Sequence, residues 1–78
     1  MVFSKRQWEY LSKCWHLTPR EIEVAKLVCK EFNNAQISKK LRIAYNTVRA
    51  HLSNICRKVG VSGKTGIILQ FISILHKS

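Results

Sequence analysis

The sequence predicts an all-α domain of four helices that include a helix-turn-helix, preceded by an N-terminal extension with a short helical stripe of its own. Three observations carry this reading. Apolar residues recur at three- and four-residue spacings along most of the chain. Thr18-Pro19-Arg20-Glu21 opens a helix and Gly60 closes one. Between them, residues 34–60 read as a short helix, a tight break and a longer helix that holds basic and small polar residues but no acid.

Residues 1–16 form the extension and 17–78 the domain proper. In the extension Trp8, Leu11 and Trp15 recur at i, i+3 and i+7, one stripe of an amphipathic helix. That stripe either lies on the domain or meets a protein partner through Trp8 and Trp15. At Thr18 the N-cap hydroxyl accepts from the Glu21 amide, Glu21 reaches back, and Pro19 suits the first helical position. The helix should span about residues 19–31, with Val24, Leu27 and Val28 inward and Ile22 and Ala25 assisting. Phe32-Asn33-Asn34 breaks it, and Asn34 is placed to cap a short helix over residues 35–41. There Ile37 and Leu41 face one way while Lys39 and Lys40 face out.

Residues 42–45 form the turn, with Ile43 as its buried anchor. The longer helix starts at Tyr45 or Asn46 and stops at Gly60, with Arg57 and Lys58 suited to its C-terminal dipole. Its core face is Val48, Leu52, Ile55 and Val59, and Val61 tucks in after the stop. The last helix, residues 65–77, is apolar around most of its circumference, an arc too wide for one small domain to cover. One side is expected on the core and the other in a two-fold dimer, with Ile67, Phe71, Ile74 and Leu75 at the interface.

Charge narrows the function. The 78 residues carry 14 Lys and Arg against 4 acids, a net charge of +10. All the acids, Glu9, Glu21, Glu23 and Glu31, precede Phe32. A half-domain of one sign attracts polyanions, nucleic acid first. The sparse acids and the scattered His16, His51 and His76 leave nothing for acid–base or metal chemistry, so neither an enzyme nor a cofactor is expected. Cys14, Cys29 and Cys56 include no CxxC and fit a reducing cytosol. No N-terminal apolar run suggests a signal peptide, and none reaches the ~18 residues of a membrane span. Gly63-Lys64-Thr65 is not a phosphate-binding loop, because Lys58 stands where the motif needs its first glycine.

Opposite the core stripe of the longer helix lie Asn46, Arg49, Ala50, Ser53 and Arg57. Arg pairs bidentately with guanine, Asn with adenine, and Ala meets a thymine methyl. Thr47, His51, Asn54 and Lys58 flank them. Thr, His, Lys and Ser suit phosphate oxygens, which fix register without reading sequence.

Three spaced motifs resemble the LuxR/FixJ/GerE-type DNA-binding domains. Leu17-Thr18-Pro19-Arg20-Glu21 with Glu23-Val24 is similar to "LTxRExEV". Asn34-x-Gln36-Ile37 with Leu41 resembles "NKEIAxxL". Thr47-Val48-Arg49-x-His51-Leu52-x-x-Ile55 with Lys58-Val59-Gly60-Val61 resembles "TVKxHxxxIxxKLGV". The match runs in register from Leu17 to Phe71, most of the chain. It implies four helices, the third for recognition and the fourth for pairing two subunits. By position it implies base contacts from Asn46, Arg49, Ala50 and Ser53, and backbone contacts or support from Thr47, His51, Arg57, Lys58 and Lys39. Arg42 and Glu31 stand where that family usually has glycine, Ala44 where it has a Ser or Thr cap, and Ser53 where many members have Lys or Arg.

The expected partner is double-stranded DNA, bound in the major groove by a homodimer in a bacterial cytoplasm, at the nucleoid. The competing reading is a protein-binding module on the same scaffold, with another regulator as partner. No membrane association is expected, since basic and apolar faces do not share one helix.

Overall fold

The computed structural model describes residues 3–77. Five helices follow one another within them: α1 (Lys5–Trp15), α2 (Pro19–Cys29), α3 (Asn34–Leu41), α4 (Tyr45–Val59) and α5 (Lys64–Lys77). The N-terminal stripe is therefore a full helix.

Three helices open on the same device. Ser4 with Gln7, Thr18 with Glu21, and Asn33 with Gln36 each form a reciprocal capping box, which satisfies two amides that a helix start leaves without partners. The cap of α3 is thus Asn33, not Asn34. Its side chain accepts from the Gln36 amide at 2.8 Å, while Gln36 accepts from the Asn33 amide at 2.8 Å. The three-residue spacing decides this, because Gln36 reaches back to Asn33 and to no other residue. Asn34 becomes the first helical residue, with its Oδ1 buried and unbonded among the described residues.

Helix ends also repeat one device. His16, Glu31, Arg42 and Gly60 take left-handed backbone conformations, and the apolar residue after each donates its amide five residues back. Those pairs are Leu17 to Ser12, Phe32 to Leu27, Ile43 to Ser38 and Val61 to Cys56. Each turn thus drives one apolar side chain back toward the core. Only Gly60 adopts this conformation without steric penalty.

One hydrophobic cluster unites all five helices, and Phe71 lies at the centre of its aromatic part. Trp15 stacks on Phe71 with centroids 5.4 Å apart, and Trp8 meets it edge-on at 5.8 Å. Trp8 and Leu11 are buried, so the segment set apart as an extension shares the domain's core. Trp8 is buried and Trp15 half-buried, so the stripe takes the first of its two expected placements, on the domain.

The core takes two of the four residues expected at the dimer face. Ile67 and Phe71 are 0% exposed and belong to the core of a single chain, so they are unavailable to a second copy. For Phe71 the physical reason is α1, whose two Trp pack against its ring. Ile74 and Leu75 are half-buried against the core. Ile68 shares that status, and the most exposed apolar side chain of α5 is Leu69, 61% exposed, with half-buried Ile72 next to it. Near its start α5 lies close to the preceding loop: a Cβ at Gly66 would stand 2.8 Å from Val61 Cβ.

Candidate nucleic-acid interface

The site is the outward side of α4, and its inward side explains its placement. Val48, Leu52, Ile55 and Val59 are all buried, at spacings that keep them on one stripe. Four such anchors over fifteen residues fix the helix's rotation about its own axis. Asn46, Thr47, Arg49, Ala50, Ser53 and Arg57 are exposed as a consequence, and His51 and Asn54 are half-buried along one edge. Arg57 donates from Nη2 to Asn54 Oδ1 at 2.8 Å, which lays its guanidinium along the helix. Lys39 is exposed on α3.

The turn between α3 and α4 has a brace that its residue types did not announce. The Ser38 hydroxyl donates to the Ile43 carbonyl at 2.6 Å, across the left-handed Arg42. A hydroxyl inside a helix more often serves its own preceding turn, so sequence pattern offers no signal for this bond.

Lys58 does not belong to the outward face. Its Nζ donates to Glu21 Oε1 at 2.7 Å and to the His16 carbonyl at 3.1 Å. Of the two roles read for it, backbone contact or support, these bonds are the support. Glu21 is the cause: its capping-box duty holds the carboxylate at 5% exposure, where an unpaired charge is costly. Lys58, 31% exposed, neutralises it. Burial pushes the Glu21 pKa up, but hydrogen bonds from Lys58 and the Thr18 amide, with the Lys58 charge, outweigh it and hold the group below its ordinary value. One lysine thus ties the last turn of α4 to the start of α2 and the end of α1.

At the other end, Ala44 occupies the N-cap of α4 and gives no side-chain hydrogen bond. Its carbonyl accepts from Thr47 and Val48 at 3.0 and 3.1 Å, which leaves the first two amides of the helix outside that arrangement.

α4 itself carries no acid. Glu21 is buried, and Glu23 pairs with Arg20 at 3.5 Å on exposed surface, a contact of small energetic weight. Among the described residues no group of three or more His, Cys, Asp or Glu is placed to hold a metal. No disulfide joins the cysteines, and burial raises the Cys29 thiol to about 11, so it stays protonated at neutral pH. No single helix among the described residues is long and apolar enough to cross a membrane.

A model of the family described as bacterial regulatory proteins, luxR family, matches residues 15–71. The transcriptional regulatory protein DegU of Brevibacillus brevis is 34% identical over 67 residues, 86% of this chain and 28% of DegU. The transcriptional activator protein BglJ of Escherichia coli K12 is 32% identical over 62 residues, 80% of this chain and 27% of BglJ. The spore germination protein GerE of Bacillus subtilis is 36% identical over 56 residues, 72% of this chain and 76% of GerE. The chain thus spans about a quarter of DegU and BglJ, and three quarters of GerE. No solved structure matches the chain significantly.

Proposed function

Because the chain belongs to the luxR family of bacterial regulatory proteins, whose members are DNA-binding transcription regulators and not enzymes, we propose that it reads a specific sequence of double-stranded DNA with the outward face of α4. One observation carries the reading. A helix rotationally locked by four buried residues turns Asn46, Arg49, Ala50 and Ser53 outward in the half of the sequence that has no acid. Their chemistry suits base edges in the major groove. Thr47, His51, Arg57 and Lys39 supply phosphate contacts that set register. The bacterial cytoplasm, at the nucleoid, is the compartment that this activity requires.

Two copies are proposed to bind together, reading half-sites about one DNA turn apart. The contact proposed between them is the outward side of α5, with Leu69 at its centre and Ile72 beside it, since exposed apolar surface of this kind marks an interface. Leu69→Lys should give monomers by sedimentation with the fold intact. A dimer unchanged by that substitution would exclude this face.

Binding is tested by fluorescence anisotropy with duplexes selected from a random pool. Arg49→Ala should weaken specific binding by about 1–3 kcal/mol and relax one base position. Affinity should fall steeply with salt, as release of phosphate counterions requires. An Arg49→Ala protein that matches the wild type on every duplex would remove α4 from the groove.

A further inference from the structure

The recognition helix carries one large side chain that neither its core stripe nor its base-reading face uses. Tyr45, the first residue of α4, is 50% exposed, so it contributes little to the core. Its hydroxyl has no hydrogen-bond partner among the described residues. Tyr10, the other exposed tyrosine, differs in having a side-chain hydrogen bond with Cys14. Tyr45 stands one turn before Arg49, and residues four apart on a helix lie on the same side. Ala44 precedes it with only a methyl group, and Asn46, exposed, follows it. Ring, guanidinium and carboxamide thus share the first turn and a half of the helix, on its solvent side.

We infer that Tyr45 is a further specificity-determining residue: its ring meets a thymine methyl beside the base pair reached by Arg49, and its hydroxyl donates to a neighbouring phosphate. The inference rests on the reading of α4 as the groove helix. A tyrosine combines an apolar body with a polar tip and has few torsions to freeze, which suits it to a surface that is apolar at the thymine methyl and charged at the phosphate. On DNA both of its parts would be satisfied.

The test uses duplexes selected from a random pool by the wild type, and a parallel selection by Tyr45→Ala. The variant should unfold at the wild-type temperature, as a half-exposed residue allows. Its selected motif should lose one thymine preference, and its affinity for the wild-type duplex should fall about fivefold or more. Replacing that thymine by deoxyuridine, which removes only the methyl group, should weaken the wild type and leave Tyr45→Ala unaffected. Tyr45→Phe should keep the thymine preference but bind all duplexes more weakly, through loss of the phosphate contact. An identical motif with affinity within twofold of wild type would overturn the assignment, as would a deoxyuridine effect equal in both proteins or a Tyr45→Ala protein that melts well below wild type. If the wild type itself enriches no sequence, the groove reading fails in that arm and this inference falls with it.

Discussion

The last turn of α4 and its first turn differ in what holds them. At the last turn Lys58 is bound to Glu21 and to the His16 carbonyl, Val59 is buried, and Gly60 closes the helix with a left-handed residue that needs no Cβ. At the first turn Ala44 gives no cap, Tyr45 and Asn46 are exposed, and the backbone enters from a left-handed Arg42. The closed end faces the protein and the open end carries the side chains proposed to read DNA. The first-turn groups proposed to bond a ligand are left without partners inside the molecule, while the far end supplies the rigidity that aims them.

The largest effect should come from breaking the closed end. Glu21→Gln should lower stability by about 1–3 kcal/mol, because it removes the charge that Lys58 neutralises and weakens a capping box. The same carboxylate makes stability depend on pH. Its pKa is lowered in the folded state, so its contribution is fully present above the ordinary Glu range and is lost as pH falls through the folded value. Thermal unfolding of wild type against Glu21→Gln should therefore diverge at neutral pH and converge in acid. Parallel curves at all pH values would show that the pair adds nothing.

Repairing the open end is the next step down. Ala44→Ser supplies the missing cap and should stabilise the protein by about 1 kcal/mol in a denaturant titration. No gain would mean that the start of α4 is already satisfied in some other way. The smallest effect concerns the turn before it. Arg42→Gly relieves a left-handed side-chain-bearing residue but loosens the unfolded chain, for a net gain of about 0.5 kcal/mol. A loss of stability would show that the Arg42 side chain contributes more than its backbone strain.

Much of this architecture is legible in residue order alone. Thr18 and Glu21 announce a capping box because both partners lie within three residues of each other. Val48, Leu52, Ile55 and Val59 announce the inward face of α4 because helix periodicity is a local property. The outward face follows by geometry, which is why Asn46, Arg49, Ala50 and Ser53 were readable before any fold was known. Asn33 was missed in favour of its neighbour, since two adjacent asparagines have equal capping propensity and only the position of Gln36 separates them.

What residue order could not reveal depends on contacts between distant parts of the chain. Lys58 looks like any basic residue in a last helical turn; only the fold brings Glu21, 37 positions earlier, to within 2.7 Å of it. Phe71 looks like surplus apolar surface on α5 until Trp8 and Trp15 arrive from the other end of the sequence to cover it. Periodicity, capping and turn chemistry act over a few residues and are written directly in the sequence. Whether a given cation or apolar row is spent inside the molecule or offered to a partner is a matter of what packs against it, and the tertiary structure alone decided that.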